Sequence, residues 1–276
     1  MAINLHTKYS SKIVEQFKKE SVIKGLLGND YDFVGDRTIK VSTLQTVAMS
    51  DYDRNSTSDR YGAMQEVQDT IQEMTMSQDK CFKLSIDKGN QSDQQNMKDA
   101  GKVMRLQLRE QTVPTMDAYV LLRLALQAGK INSSGTALTK TTVLPAILAG
   151  TTHMDDAEVP ENDRVLLVPN TIYALLKQST EFTTAVEALS EKTITKGFVG
   201  YYDGMKVVKV PSGRWPAYVN FMIVYKNAAI NPVKIHETRI KTDSENISGS
   251  LLLGRFYYDA FVLGTRANGI YVDVCT

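Results

Sequence analysis

The chain has 276 residues, 42% of them apolar and 23% charged, with a formal net charge of +1; that length buries a real core in one or two domains. So even a balance supplies no global basic field for phosphate and weighs against a free-standing nucleic-acid binder. Cys81 and Cys275 lie too far apart to suggest a disulfide framework, which fits a reducing compartment.

The N-terminus MAINLHTKYSSK lacks an apolar signal core, and the longest apolar runs, such as YVLLRLALQA, are too short to cross a bilayer. The expectation is a protein made inside the cell, with no membrane partner. Residues 7–27 predict an amphipathic helix: Tyr9, Ile13 and Phe17 recur every four residues beside Val14, with Lys12, Lys18 and Lys19 opposite. So thin a stripe needs a surface to lie on, either its own domain or another subunit.

Residues 37–88 alternate. In RTIKVSTLQTVAM, Ile39, Val41, Val47 and Met49 share one parity, with Leu44 the exception. In MTMSQDKCFKLSIDK, Met74, Met76, Phe82, Leu84 and Ile86 share the other. The pattern predicts two half-buried strands forming a ribbon, joined by a polar stretch of about twenty residues with no helical stripe. A two-stranded ribbon with one apolar face is marginal alone in water. No crossover helix lies between the strands, so the cover is expected from elsewhere in the fold or from a neighbouring chain.

Next, Ser92 and Gln95 form a capping-box start, and Met97, Ala100, Met104 and Leu108 a helical stripe. Pro114 is expected to end or kink that helix. A second apolar run, Tyr119 to Leu126, precedes a stop at Gly129. The turn-rich KINSSGT marks a boundary. Beyond it the sequence predicts a helix over TTVLPAILAGTTHM, a buried strand RVLLVP and a helix NTIYALLKQ capped by Asn170. A hairpin GYYDGMKVVKVP turning at Asp203-Gly204 and a strand NFMIVYK follow. The late segments PVKIHETRIK, GSLLLGRFYYDAFVL and NGIYVDV read as strands, the last two as a closing hairpin about Asn268-Gly269.

Chemistry-bearing motifs are sparse. His6, His153 and His236 are scattered, and no HExxH, Walker loop, GxGxxG or GxSxG occurs. Asp155, Asp156 and Glu158 form an acidic cluster that suits a cation or, more commonly, a solvated face. In the long loop, Tyr52, Arg54, Arg60 and Tyr61 suit nucleic-acid contact by charge and stacking. Asp51, Asp53 and Asp59 offset that charge and favour protein contacts.

Taken in order, KYSSKIVEQF, YDFVGDRTIKV, TVAMSDYDR, MTMSQDKCFKLSIDKGNQSDQ, VPENDRVLLVP, GYYDGMKVVKVPSGRWP and GRFYYDAFVL…GIYV resemble major capsid proteins of tailed bacteriophages with the Hong Kong 97-type fold, over nearly the whole chain. The resemblance implies an α+β capsid fold. Residues 1–35 would be an N-terminal arm, 36–90 an extended β-hairpin E-loop, and 91–136 the spine helix of a peripheral domain. Residues 137–230 would be an α+β axial domain, and 231–276 the C-terminal strands of the peripheral domain.

It implies a structural protein, not an enzyme, with no cofactor or metal. That protein would self-assemble into pentamers and hexamers of an icosahedral head, a virion component built in the host bacterial cytoplasm. It would enclose double-stranded DNA without sequence-specific binding, with a separate scaffolding protein and a portal as partners. Inter-subunit contacts are expected from Val47, Met49, Tyr52, Arg54, Arg60, Tyr61, Met74 and Met76 of the E-loop and from Tyr9, Ile13 and Phe17 of the arm. The rivals are an encapsulin-like shell holding a cargo enzyme, an α/β enzyme using the cluster near Asp155, and a nucleic-acid-binding module.

Overall fold

A computed structural model of the chain describes residues 21–28, 38–55, 57, 60–64, 66–88, 99–179, 198–244 and 247–275. Tyr9, Ile13 and Phe17, and the helix start at Ser92 and Gln95, lie outside these. Within the described part of the first predicted helix, residues 21–27 run as bends and turns, with Gly25 at φ +83°. Val22, Ile23, Leu26 and Leu27 are buried there in the main core.

Strands β1 (Thr38–Leu44) and β2 (Asp69–Thr75) pair antiparallel as a ribbon, with Ile39 opposite Met74, but its second strand is not the predicted one: Asp69 to Glu73 precede the expected start, and only Met74 and Thr75 of that segment belong to it. The ribbon is shorter than its sequence pattern. MTMSQDKCFKLSIDK is not one strand: it breaks at Met76-Ser77, and β3 (Gln78–Asp87) leaves to join a different sheet. The parity that unites Met74, Met76, Phe82 and Leu84 therefore spans two sheets.

A 27-residue helix follows. It comprises α1 (Ala100–Gln107), a π-helical stretch Leu108–Thr112 and α2 (Val113–Leu126). Asp99 caps its start, accepting from the Lys102 N–H at 2.9 Å. Contrary to expectation, Pro114 does not end it. The wider π turn, in which the Val113 N–H bonds the Leu108 carbonyl, takes up the lost donor and bulky ring that would break a regular helix. The rod is about 40 Å long. It stops where Gly129 meets the backbone of Ala267 and Asn268; a Cβ there would lie 2.4 Å from the Ala267 carbonyl carbon.

After β4 (Lys130–Ser133) come α3 (Val143–Asp156), β5 (Arg164–Pro169) and α4 (Asn170–Leu176). Pro145 sits in the first turn of α3, where a proline is tolerated. Asn170 is the first residue of α4 rather than its cap: Pro169 holds the cap position and no side chain bonds there. Strands β6 (Phe198–Tyr202) and β7 (Met205–Val210) form the predicted hairpin, its turn made by Asp203 at φ +50° and Gly204 at +70°. Both central residues are left-handed, as the tightest hairpin turns require.

Next lie β8 (Val219–Tyr225), β9 (Ala229–Ile230), β10 (Val233–Ser244), β11 (Ile247–Tyr258), β12 (Phe261–Val262) and β13 (Ile270–Val274). The last two expected strands do not make a hairpin. β11 pairs between β10 and β3, whereas β13 inserts between β4 and β8 in a mixed six-stranded sheet of order β4-β13-β8-β5-β7-β6. Asn268-Gly269 ends a six-residue 3₁₀ segment instead of forming a tight turn. The reason is the double-sided character of IYV: Ile270 and Val272 face one core and Tyr271 the other, and only an interior strand covered on both sides satisfies both.

That sheet is the middle of three layers. Val165, Leu167, Val208, Met222 and Val272 meet Val120, Leu121 and Leu124 of α2. Leu166, Val168, Val207, Phe221 and Ile223 meet Ile147 of α3 and Leu176 of α4. Because β4 and β13 belong to it, the sheet crosses the expected boundaries at 136 and 231. A smaller core joins Ile86, Leu252 and Met104 where α1 covers the β10-β11-β3 sheet.

Candidate inter-subunit surface

The ribbon divides into a root and a tip. At the root, Met74 and Met76 are 1% and 0% exposed, packed with Ile230 of β9 and with Phe261 and Leu263 around β12. Ile39, Val41 and Tyr257 close the cluster. This corrects the expectation that a sibling must shield Met74 and Met76, because the chain's own late strands already do. Gln72 adds a polar lock: its amide donates to the Val262 carbonyl at 2.9 Å and its side-chain oxygen accepts from the Gly264 N–H at 2.9 Å.

Beyond the Gln45 N–H to Gln68 carbonyl bond at 2.8 Å, the tip leaves the body. The Asp53 N–H reaches the Arg60 carbonyl at 3.1 Å, the Ser50 hydroxyl bonds the Tyr61 carbonyl at 3.3 Å, and Tyr52 meets Tyr61 edge-on at 5.0 Å. These bonds give the tip shape without burying it. Met49, Met64 and Tyr61 are 101%, 98% and 83% exposed, and Leu44, Val47, Tyr52, Val67 and Ile71 are exposed with them. Among the described residues these are half of all large hydrophobic side chains left in solvent. Exposed apolar surface so concentrated marks an interaction site. Arg54 and Arg60 are exposed on the same tip.

Of the predicted contact residues, the structure thus groups Val47, Met49, Tyr52, Arg54, Arg60 and Tyr61 on one bare projection. Leu44, Met64, Val67 and Ile71 belong beside them but escaped the sequence reading. Leu44 breaks the parity of its strand, and Met64 lies in a stretch without period.

Three buried aspartates, also missed, hold the frame. Asp117 of α2 accepts from the Val22 N–H at 2.9 Å, the Ser21 hydroxyl at 2.7 Å and Arg214 at 2.8 Å, tying the N-terminal segment to the long helix. Asp273 accepts from Asn132, Ser134 and Asn220 across three neighbouring strands. Asp259 sits at the root of the ribbon, between Ser77 and Tyr119. The signal was present in each case: a lone carboxylate inside an apolar run, as in TMDAYV, YYDAFV and YVDV.

The acidic cluster has a structural partner. Arg164, itself buried, bonds Asp155 at 2.6 Å, the Pro160 carbonyl at 2.9 Å and the Val159 carbonyl, closing the loop after α3. Among the described residues no group of three or more His, Cys, Asp or Glu side chains is placed to hold a metal ion. No described helix is long and apolar enough to cross a membrane.

Comparison with known sequences finds no matching family model and no matching curated protein. Comparison with solved structures is decisive for the fold. The capsid structure of the cyanophage P-SCSP1u is similar with a TM-score of 0.75 at 14% identity, covering 99% of this chain and 93% of that one. The mature capsid of bacteriophage PhiM1 gives 0.74 at 13% identity with the same coverage. A chain of Mycobacterium phage Che8 gives 0.69 at 15% identity, over 99% of this chain and 98% of that one. The protein has the fold of tailed-phage capsid chains, the Hong Kong 97-type fold.

Proposed function

We propose that this chain is a phage major capsid protein, a structural rather than catalytic component of the virion. It self-assembles into pentamers and hexamers of an icosahedral head that encloses double-stranded DNA. The observation that carries the reading is the bare apolar tip at residues 44–71, on a chain whose whole length follows the fold of capsid structures. In this reading the ribbon and tip form the E-loop, residues 100–126 the spine helix, and the six-stranded sheet the base of the axial domain. The tip lies on a neighbouring copy. Each large side chain it buries there contributes roughly 1.5–3 kcal/mol. One arm is a modest bond; repeated around a closed shell it becomes cooperative and slow to open. A near-neutral wall suits DNA held without sequence-specific contacts, and a separate scaffolding protein and a portal complete the set of partners.

Hydrogen exchange on unassembled and assembled protein, with electron microscopy of the particles, tests this. Backbone amides of the tip should exchange rapidly in the subunit and become protected in closed shells. Stable monomers under every assembly condition, or equal tip protection in both states, would end the proposal.

A further inference from the structure

We infer that Asp259 is a positioning residue that fixes the direction in which the ribbon leaves the body. Its carboxylate is 1% exposed. One oxygen accepts from the Ser77 N–H at 2.7 Å and the Ser77 hydroxyl at 2.9 Å. The other accepts from the Tyr119 hydroxyl at 2.7 Å and the Ala260 N–H at 2.8 Å. A carboxylate offers about four lone-pair sites, so all are engaged.

The partners come from three separate places. Ser77 is the hinge between β2 of the ribbon and β3 of the body sheet. Tyr119 stands on α2, and Ala260 lies in the break between β11 and β12. The neighbouring Met76 carbonyl is held as well, by the Tyr257 hydroxyl at 3.0 Å. Arg123 lies 3.9 Å from the same carboxylate and supplies positive charge. Burial first, and then the carboxylate beside it, hold the Tyr119 hydroxyl above the usual phenol range, so it stays a donor.

A two-residue link such as Met76-Ser77 is free to pivot about its own torsions unless its polar groups are fixed. Here both polar groups of the Met76–Ser77 peptide bond, inside the hinge, are committed, and the carboxylate that holds one of them is bonded to the long helix through Tyr119. The direction of the ribbon is thereby referred to the longest helix among the described residues. Buried hydrogen-bond networks act in this way, specifying one geometry; here the acceptor sites of Asp259 are filled, while Arg123 Nε, 3.9 Å away, makes no hydrogen bond. The consequence for a shell, that a fixed departure angle sets where the tip meets its neighbour, rests on the proposed function. The positioning role does not.

The test therefore uses unassembled subunits. Spin labels are placed on native Cys81, which is exposed on β3, and on Leu44→Cys at the far end of β1, in a Cys275→Ser background. The seven-residue strand spans about 20 Å, so a change in the ribbon's direction displaces one label relative to the other. Ser77→Ala and Tyr119→Phe each remove one bond to Asp259 and keep the packing. Both should broaden the distance distribution and shift its mean. Ser134→Ala, which removes a comparable bond to Asp273, should lower the melting temperature and leave the distances unchanged. Wild-type distributions in Ser77→Ala and Tyr119→Phe, or equal broadening in Ser134→Ala, would overturn the assignment.

Discussion

Root and tip of one ribbon have the same kind of sequence and opposite fates. Both carry methionines in otherwise polar surroundings. Met74 and Met76 are sealed under Ile230, Phe261 and Leu263, while Met49 and Met64 stand in solvent. The difference is set by what lies beneath. The root crosses the break between β11 and β12, where Phe261 and Leu263 pack against it, and the tip extends past the edge of the body. An apolar residue on such an arm therefore says that a partner exists, and only the length of the arm says whether the partner is the same chain.

The sharpest way to break this contrast is to exchange the two effects. Met49→Ser with Met64→Ser should abolish closed particles in an assembly assay and leave the melting temperature of the subunit unchanged. Met74→Ala should do the reverse. It opens a cavity in the root cluster and should cost about 2–5 kcal/mol of subunit stability by denaturant titration, while the surviving folded subunits still assemble. A Met74→Ala protein of undiminished stability that fails to assemble would return Met74 to the inter-subunit surface, where its sequence pattern first put it.

The contrast also shows what the sequence could carry. Phe261 and Leu263 face the root cluster, and Ala260 and Val262 the main core, the alternation that a strand imposes. What parity does not encode is pairing. The same alternation serves a hairpin or two strands in different sheets, which is how Met76-Ser77 and Asn268-Gly269 were misread. Pro114 misled for a different reason, since a π turn is selected by packing along the rod and leaves no local pattern. In the candidate surface, the sequence pattern places Val47 and Met49 on the apolar side of a strand that in fact ends at Leu44, and it singles out Tyr61 only for its ring beside mixed charges. Asp117, Asp259 and Asp273 belong to no catalytic motif, and their signal is of another kind: a charge inside an apolar run must be paired.

A smaller effect separates root from tip by pH. Burial, and after it the Tyr119 and Asp259 neighbours, raises the Tyr258 hydroxyl above its ordinary value, and burial with Asp259 does the same for Tyr119. Burial beside Asp273 raises Tyr271. A raised phenol is neutral in the fold where the unfolded chain already ionises. Its contribution is whole below a pH of about 10 and is lost as the pH climbs through the folded values. Denaturant titrations from pH 9 upward should show stability falling in that window, and Tyr119→Phe should shallow the decline. Tyr61, exposed at the tip, serves as the control position. An equal response from Tyr61→Phe would erase the distinction.

The smallest effect belongs to a pair on the outer edge of the root. Arg255 of β11 grips Asp79 of β3 with two bonds, at 3.0 and 2.6 Å. That hydrogen bond, opposed only by slight burial, holds the Asp79 carboxyl below its ordinary value. A depressed carboxyl stabilises the fold above its unfolded pKa and loses that contribution as the pH falls through the folded one. Both side chains are open to solvent, so screening leaves little of the attraction. The strands are already joined by their backbone register, which runs from Gln78 to Asp87 without a bulge. Asp79→Asn should therefore leave the neutral-pH melting temperature where it was and flatten only the acid limb of the stability profile, most visibly at low salt. A marked loss at neutral pH would mean that the edge of the root is held by charge instead of by the ladder and the methionine cluster beneath it.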